Sequence, residues 1–506
     1  MPLNLVHPDW GLILPQFIVL VTAVVVSLLD AFLPKAMQYT WLTAISLLGY
    51  GAGLVALIWQ DDRNDSTFYG LFRGDGLTVF LSLIILSAAI LTVLVSASYV
   101  ENLEGRMPLG EFYTLLSFAT LGALVTSAAG DMVMLYVGIE LASLSTYILT
   151  AFAKRRETSL EGALKYFLLG LFASAILLYG MAWIYGATAT TNLDQISSNL
   201  RALVTGQDEL DASLLLGLLL VIVGLGFKIA AVPFHFWTPD AYDGAPTPVT
   251  GWMSVVPKAA AAAALVRLLV QGLAPLEDNW TVIIAFLALI TMVFGNIVAV
   301  SQRNVKRMLA YSSIAHTGYM LAGLAAYRAT DGFSSGGPAD QGVTSVLYYM
   351  LAYTFMNIGA FAVVIWIQQR GRGMELEDFN GLGAQHPMLA AAMTIFMISL
   401  MGIPPTIGFY GKYYVIVALI DANLLWLALA IVLMSAVSAF FYLRVVAVMY
   451  FSDGKESSTL PATPMLNTGI AVMVVATIVL GLFSGPIVDL ASKWSDALTV
   501  VASTTP

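Results

Sequence analysis

Ionisable side chains stand inside several long apolar stretches of the sequence. Glu140 lies in LYVGIELASLS, Lys228 in GLGFKIAAVPFHF and Lys258 in VPKAAAAAAL. Lys412 follows the two prolines of GIPPTIGFYGK. A charge at the centre of a bilayer costs about 2.5–3.5 kcal/mol on insertion scales, so a sequence that keeps several usually uses them. The alternatives are a structural ion pair for Glu140 and, above all for Lys412, lysine side chains that reach the membrane interface.

Two histidines accompany these charges. His235 lies in VPFHF and His316 in YSSIAHTGY. Histidine titrates near neutral pH, so both are candidate members of a proton relay. The alternative is that each is an ordinary hydrogen-bonded polar side chain. No His, Asp and Glu residues cluster at metal-ligand spacing, so we expect no metal site.

Lys165 has two interpretations. It stands four residues after Glu161, close to the basic run Lys154, Arg155 and Arg156. This spacing is typical of an ion pair on a helix surface. The position near the other charges also allows a functional role, and both interpretations stay open.

A pair of buried charges can act as a proton switch. A lysine ammonium in an apolar site gives up its proton more readily than one in water, whereas a neighbouring carboxylate holds that proton in place. Two ammonium groups about 8 Å apart repel by roughly 2 kcal/mol at an effective dielectric constant of 20. A carboxylate such as Glu140 that approaches or leaves Lys228 would switch the lysine between holding and passing a proton.

The composition indicates that lipid surrounds most of these residues. Of the 506 residues, 59% are hydrophobic and 10% charged, against about 25% charged in a typical soluble domain. These values exclude a soluble enzyme and a disordered chain. The net charge of −9 argues against a nucleic-acid partner. With no cysteine, the chain has no disulfides, cysteine zinc sites or thiolate-bound iron–sulfur clusters.

Apolar runs long enough to cross a bilayer predict an all-α polytopic membrane protein of about fourteen transmembrane helices. The first run has no basic segment before it and leads into others, so we expect a transmembrane helix rather than a cleaved signal. The predicted spans are 11–33, 40–59, 76–98, 112–129, 132–152, 162–186, 213–231, 247–272, 279–300, 307–327, 344–369, 388–420, 423–451 and 465–489. The connections 187–212 and 328–343 are predicted to be surface loops.

Prolines interrupt the seventh and twelfth spans. Each proline removes a backbone donor, and in a membrane such a break persists only where protein or water satisfies the freed groups. Breaks five spans apart predict two inverted five-helix repeats with a polar site at the midplane. Two unrelated kinks are the alternative. The predicted units are an N-terminal part (1–111), a first repeat (112–272), a second repeat (279–451) and a last helix with a tail (452–506).

Basic residues predict the orientation. Most lysines and arginines of the predicted loops follow odd-numbered spans, as Lys154, Arg303, Lys306 and Arg307 do. By the positive-inside rule these loops are cytoplasmic and both termini lie outside. The expected path then runs from the inside through Lys228, Lys258 and His316 to Lys412 near the outer face.

Five segments together resemble the antiporter-like subunits of respiratory complex I, most closely those of the subunit N type, over roughly residues 75–450. The segments are ETSLEGALKYFLLGLFASAILLYG (157–180), GFKIAAVPFHFWTPDAYDGAPTPVTGWMSVVPKAAA (226–261), NVKRMLAYSSIAHTGYML (304–321), MNIGAFAVV (356–364) and SLMGIPPTIGFYGKYY (399–414). The resemblance implies that the family's key residues fall on Glu140, Lys165, Lys228, His235, Lys258, His316 and Lys412.

The resemblance also implies a role. The chain would pump protons across a bacterial plasma membrane, as a subunit of an NADH:quinone oxidoreductase in which NADH reduces quinone in other subunits. FMN, iron–sulfur clusters and quinone would lie in those partner subunits, and this chain would bind no cofactor. Its direct partners would be other membrane-arm subunits and lipid. Through those subunits it would be connected to the peripheral NADH-oxidising arm.

Other functions stay open from the sequence. A subunit of a multi-subunit cation/proton antiporter shares many of these residues and would be driven by ion gradients. A variant of the same complex would take electrons from ferredoxin. A passive membrane scaffold with leftover buried charges is a third interpretation.

Overall fold

Helices make up most of the residues that the structure describes. The computed structural model describes residues 8–60, 64–102, 108–204, 211–327, 341–454 and 464–501. In these residues the α-helices are α1 (Leu14–Phe32), α2 (Lys35–Ile58), α3 (Gly76–Asn102), α4 (Leu109–Ser127), α5 (Met132–Thr150), α6 (Glu157–Thr188), α7 (Leu193–Val204), α8 (Ala212–Ile229), α9 (Trp237–Gly244), α10 (Thr247–Met253), α11 (Val256–Leu265), α12 (Glu277–Ser301), α13 (Val305–Ala325), α14 (Gln341–Gln368), α15 (Leu382–Gln385), α16 (Pro387–Met401), α17 (Ile407–Asp421), α18 (Leu425–Phe451), α19 (Pro464–Leu482) and α20 (Ser484–Val501).

Helix length and apolarity confirm an all-α polytopic membrane protein. Within the described residues, twelve helical segments are long and apolar enough to cross a bilayer. The tenth and twelfth predicted spans are not among them. The tenth corresponds to α13, which is a long, buried helix but carries polar residues. The twelfth is divided into α16 and α17, of 15 residues each. The count of fourteen spans therefore stays a prediction.

Both predicted interruptions are present. α8 ends at Ile229, Ala230 adopts a left-handed conformation with φ 64°, and α9 begins at Trp237. α16 ends at Met401, and Gly402 after it has φ 89°, a conformation that glycine adopts without steric cost. These two breaks place helix termini inside the bundle, where free backbone carbonyls can bind side chains.

Close packing pairs α4 with α5 and α12 with α13. A Cβ added to Gly122 would lie 2.4 Å from the backbone N of Ala142, and one added to Gly295 would lie 2.6 Å from the backbone N of Ala315. Small residues let helix backbones approach in this way in membranes. The two pairs occupy equivalent places in the predicted repeats, which supports the repeat. The repeat and the domain boundaries stay predictions.

The structure corrects three details of the sequence prediction. The predicted loop 187–212 contains the helix α7, which buries Leu193, Ile196 and Leu200. The predicted span 465–489 is divided into α19 and α20. A hairpin of β1 (Asp65–Thr67) and β2 (Phe72–Gly74) was not predicted. Residues 328–340 of the other predicted loop lie outside the described residues, as do the terminal segments 1–7 and 502–506.

A buried ion pair joins the start of α3 to the end of the eighth predicted span. The fully buried Arg267 lies in a π-helical segment, Val266–Gly272, that continues α11. Its Nη1 donates to Oδ2 of Asp75 at 2.5 Å and its Nη2 to Oδ1 at 2.6 Å. Burial raises the pKa of the Asp75 carboxyl, but the Arg267 guanidinium outweighs it and lowers that pKa to about 2.

Candidate functional site

The buried Lys228 and the partly buried Glu140 form an ion pair between α8 and α5. The Nζ of Lys228 lies 3.0 Å from Oε1 of Glu140. It also donates to Oγ of Ser143 and Oγ of Ser174, each at 2.9 Å. Ser174 donates to the same Glu140 oxygen at 2.5 Å. The predicted pair is therefore in direct contact, and two serine hydroxyls complete the surroundings of the ammonium group.

A small cavity lies beside this pair. It has a volume of about 20 Å³, and Lys228, Ser143 and Tyr166 line one side of it. Pro257 and Ala261 of α11 line the other. A volume of this size holds about one water molecule. The cavity lies between the Lys228 side chain and the helix that carries Lys258.

Lys258 is buried among hydroxyl and carbonyl oxygens. Its Nζ donates to the carbonyl of Ser313 at 2.5 Å, to Oγ of Ser313 at 2.6 Å and to Oγ1 of Thr317 at 2.8 Å. In the part of the chain that the structure describes, no carboxylate is within ion-pair distance of it. Thr317 donates to the carbonyl of Ile229 at 2.9 Å, which joins this site to the residue after Lys228.

His316 lies between two tyrosine hydroxyls. Its Nδ1 is hydrogen-bonded to Oη of Tyr349 at 2.6 Å and its Nε2 to Oη of Tyr442 at 3.2 Å. His316 also stands between Ser313 and Thr317, the two residues of α13 that bind Lys258. A neutral imidazole has one donor and one acceptor nitrogen, so this ring can receive a proton on one side and release it on the other.

Lys412 is buried rather than extended to the membrane interface. Its side chain is 6% exposed, and Nζ donates to the carbonyl of Met401 at 2.9 Å, at the end of α16. Free carbonyls at a helix C-terminus attract a cation. Nζ also lies 4.9 Å from the ring centroid of Tyr319, and this ring contacts His316 at 5.5 Å between centroids. Tyr319 therefore contacts both His316 and Lys412.

Within the described residues, neither His235 nor Lys165 is hydrogen-bonded to the groups named above. His235 lies in the α8–α9 break with its ring against Phe236 and Phe294. Within the described residues, its buried Nδ1 has no hydrogen-bond partner. The Lys165 side chain is 45% exposed, and its Nζ lies 2.6 Å from Glu161 and 2.7 Å from Asp240. The surface ion pair considered for Lys165 is therefore present, with Asp240 as an additional partner.

Several polar residues of the site were missed at the sequence level. Ser143 stands three residues after Glu140, Ser313 stands three residues before His316 and Thr317 directly follows it, so their spacing was a usable signal. Tyr442 lies on α18, far from His316 in sequence, and no local pattern points to it. Lys306, counted as a loop residue, is fully buried and donates to the carbonyls of Asp243 and Ala245.

Comparison with known proteins assigns the family. The sequence matches the family described as NADH:quinone oxidoreductase/Mrp antiporter, TM, over residues 129–438, more than half of the chain. It is 43% identical over 449 residues to the NADH-quinone oxidoreductase subunit N of Trichlorobacter lovleyi, and the alignment covers 88% of each chain. The chain belongs to the NADH-quinone oxidoreductase subunit N family. The predicted resemblance to complex I is thereby confirmed, and members of this family are subunits of an oxidoreductase.

Solved structures share the fold. A chain of respiratory complex I from Thermus thermophilus with bound aureothin is 33% identical, with a TM-score of 0.78, and the match covers 95% of this chain and 100% of that one. A chain of the Mrp complex from Dietzia sp. is 21% identical with a TM-score of 0.83, covering 97% and 99%. The second match shows a common fold only. In the described residues, no group of three or more His, Asp and Glu residues could hold a metal ion.

Proposed function

We propose that the chain is a proton-translocating membrane-arm subunit of an NADH-quinone oxidoreductase in a bacterial plasma membrane. The observation that carries this proposal is the buried line of polar groups from Glu140 through Lys228, Lys258 and His316 to Lys412. Relatives named as subunit N of this enzyme support it. FMN, iron–sulfur clusters and quinone belong to partner subunits, as does the peripheral arm. A chain without cysteine cannot supply thiolate ligands to such clusters.

Lys228 and Lys258 have different electrostatic surroundings. Lys228 has a carboxylate counter-charge, whereas Lys258 has hydroxyl and carbonyl acceptors. A buried charge without a counter-charge is costly. A proton that reaches Lys258 therefore tends to move on, while one on Lys228 is held for as long as Glu140 stays in contact. Separation of the Glu140–Lys228 pair would release the proton through the cavity toward Lys258.

The second half of the path passes the proton to Lys412. In this proposal His316 accepts the proton from the Lys258 side through the neighbouring hydroxyls. It then releases the proton toward Tyr319 and Lys412. We assign outward movement because the distribution of basic residues predicts both termini on the outer side. Moving one charge against 100 mV costs about 2.3 kcal/mol. The energy would come from electron transfer in the partner subunits.

Lys165 and His235 have a different place in this proposal. Neither contacts the line from Glu140 to Lys412 through the hydrogen bonds given above, although the resemblance assigned both to the site. We keep His235 as a residue of the α8–α9 break that reaches the path only if the break rearranges. Lys165 is considered further below.

Co-purification tests the assignment. A tagged chain is extracted in mild detergent, and the associated proteins are identified by mass spectrometry. We expect flavin- and iron–sulfur-binding subunits, together with quinone reduction by NADH in the isolated complex. If ferredoxin but not NADH reduces quinone in the isolated complex, ferredoxin rather than NADH is the electron donor. Co-purification with small hydrophobic antiporter subunits alone, and sodium-dependent transport without NADH oxidation, would contradict the proposal in favour of a cation/proton antiporter.

A further inference from the structure

The short helix α9 carries a carboxylate that binds two neighbouring helices. Oδ2 of Asp240 accepts from Nζ of Lys165 on α6 at 2.7 Å. Oδ1 accepts from Nη2 of Arg307 on α13 at 3.1 Å. Asp240 therefore links α9 to α6 and α13 at the same time. α9 follows directly on the break that begins two residues after Lys228.

Backbone contacts fix α9 at the same interface. A Cβ added to Gly162 of α6 would lie 2.5 Å from the carbonyl oxygen of Asp240. One added to Gly244 of α9 would lie 2.3 Å from the carbonyl oxygen of Thr158. At the end of α9, Lys306 donates to the carbonyls of Asp243 and Ala245. The Asp240 ion pairs thus lie where little movement is possible without breaking them.

The other end of α9 reaches the Lys228 site. Nε1 of Trp237, the first residue of α9, donates to the carbonyl of Phe227 at 3.1 Å, and Phe227 directly precedes Lys228. The Trp237 ring stacks on Tyr166 with 4.1 Å between ring centroids. Tyr166 lines the cavity beside Lys228. A shift of α9 along α6 would therefore move the turn that carries Lys228 and change the wall of its cavity.

The surroundings of Lys165 fit a fixed counter-ion better than a proton carrier. Its side chain is 45% exposed and has two carboxylate partners, Glu161 and Asp240. The charged groups around this cluster also include Asp243, which lies 3.8 Å from Arg307. Glu161 and Asp240 keep the lysine paired. In the residues that the structure describes, its ammonium has no hydrogen bond to the Glu140–Lys228 pair.

We propose that Asp240 is a positioning residue that holds α9 against α6 and α13, and that Lys165 acts by holding Asp240 rather than by carrying the translocated proton. The inference rests on the proposed function, because the group that α9 positions is Lys228. It changes the role that the resemblance assigns to Lys165 and adds Asp240 and Arg307 to the residues on which transport depends.

A conservative substitution separates the two roles of Lys165. Arginine keeps a cation for Asp240 but does not release its proton in proteins. In Lys165→Arg we expect NADH-driven proton pumping per assembled complex within about twofold of wild type. In Lys165→Ala and in Asp240→Asn we expect pumping to fall about tenfold, because each change removes the ion pair that holds α9. Glu161→Gln is the matched control, because it removes the other partner of Lys165 and leaves α9 held; it should pump normally.

Two further measurements keep the test decisive. If arginine does not fit the site, the double variant Lys165→Ala with Asp240→Asn still tests the proposal. Because the two residues act as one ion pair, the double variant should lose no more pumping than either single variant. The pH profile of pumping should keep its shape in Lys165→Ala, since no proton carrier is removed. Three results would overturn the proposal. The first is pumping in Lys165→Arg as low as in Lys165→Ala, together with additive losses in the double variant. The others are a changed pH profile in Lys165→Ala and normal pumping in Asp240→Asn.

Lys228→Ala, measured in parallel, separates this proposal from the function on which it depends. Loss of pumping in Lys228→Ala with an overturning result for Lys165 rejects only the positioning role. Normal pumping in Lys228→Ala rejects the proposed path itself.

Discussion

The Nζ of Lys228 lies 3.0 Å from Oε1 of Glu140, across the contact between α8 and α5. The same Glu140 oxygen also accepts from Ser174, so one carboxylate oxygen holds both the ammonium and the hydroxyl beside it. This geometry provides a state in which Lys228 keeps its proton. Transport then requires that the pair opens.

Replacing the carboxylate tests this pair. Glu140→Gln keeps the size of the side chain and removes the charge, so Lys228 loses its counter-ion. Without that counter-ion, Lys228 can no longer be switched between holding and passing a proton. We expect NADH-driven proton pumping to fall at least about tenfold, the equivalent of 1.4 kcal/mol, with normal membrane insertion. Glu157→Gln, an exposed position at the start of α6, is the matched control. Normal pumping in Glu140→Gln would contradict the switch.

Thr317 connects the surroundings of Lys228 with those of Lys258. Its hydroxyl receives a hydrogen bond from Lys258 and donates one to the carbonyl of Ile229. Thr317→Val removes both bonds at nearly constant volume. Because hydrogen bonds to charged groups contribute about 1.5–3 kcal/mol, we expect pumping to fall by about tenfold or more.

The control for this change is a buried threonine with a purely local hydrogen bond. Within the part of the chain that the structure describes, Thr354 of α14 donates only to the carbonyl of Met350 in its own helix. Pumping in Thr354→Val should remain near the wild-type rate in everted membrane vesicles. Equal losses in the two valine variants would show that Thr317 matters for packing alone.

Tyr442 tests the transfer through His316. Tyr442→Phe removes the hydroxyl at Nε2 and leaves Tyr349 at Nδ1, so the ring keeps one partner and loses the other. We expect slower proton pumping with an unchanged amount of assembled complex. Tyr185→Phe, at a half-exposed tyrosine of α6, serves as the control. A Tyr442→Phe protein that pumps as fast as the Tyr185→Phe protein would place His316 outside the path.

The Asp75–Arg267 ion pair makes a prediction about stability and pH. The pKa of Asp75 is lowered from 3.8 to about 2 in the folded protein, so the pair stabilises the fold above about pH 4. This contribution, on the order of 2 kcal/mol, is lost as the pH falls from about 4 toward 2, where the carboxyl is protonated in both states. We expect a lower thermal unfolding temperature for Asp75→Asn than for wild type at pH 7, and a smaller difference near pH 3. A difference that does not depend on pH would contradict this account.

The sequence predicted the breaks and the buried charges because each has a local cause. A proline beyond the first turn of a helix interrupts that helix, and a lysine among alanines or leucines is recognisable without its partners. The interruptions near Pro233 and Pro405 are accordingly found in the structure. The pairing of Lys412 with the Met401 carbonyl was not predicted, because the backbone turn at Gly402 brings a helix end to the lysine.

Contacts between distant helices could not be predicted in the same way. Lipid is as apolar as leucine, so hydropathy does not show which helix faces which in a membrane. Tyr442 reaches His316 from α18, and Arg307 reaches Asp240 from α13, through packing alone. Lys306 was assigned to a loop because it lies at a helix start, yet α9 ends against it and buries it. The helix α7 was missed because its polar residues suggest a loop, while its apolar residues cover the π-helical end of the eighth span.

Lys258 is the point through which any proton must pass in this account. The most direct test is the rate of NADH-driven proton uptake into everted vesicles that contain Lys258→Met, per assembled complex. Methionine has a similar length and carries no proton; Lys154→Met, at an exposed lysine outside the site, is the control. The account predicts at least about a tenfold lower rate for Lys258→Met and a normal rate for Lys154→Met. A Lys258→Met protein that pumps at the wild-type rate would contradict the proposed path.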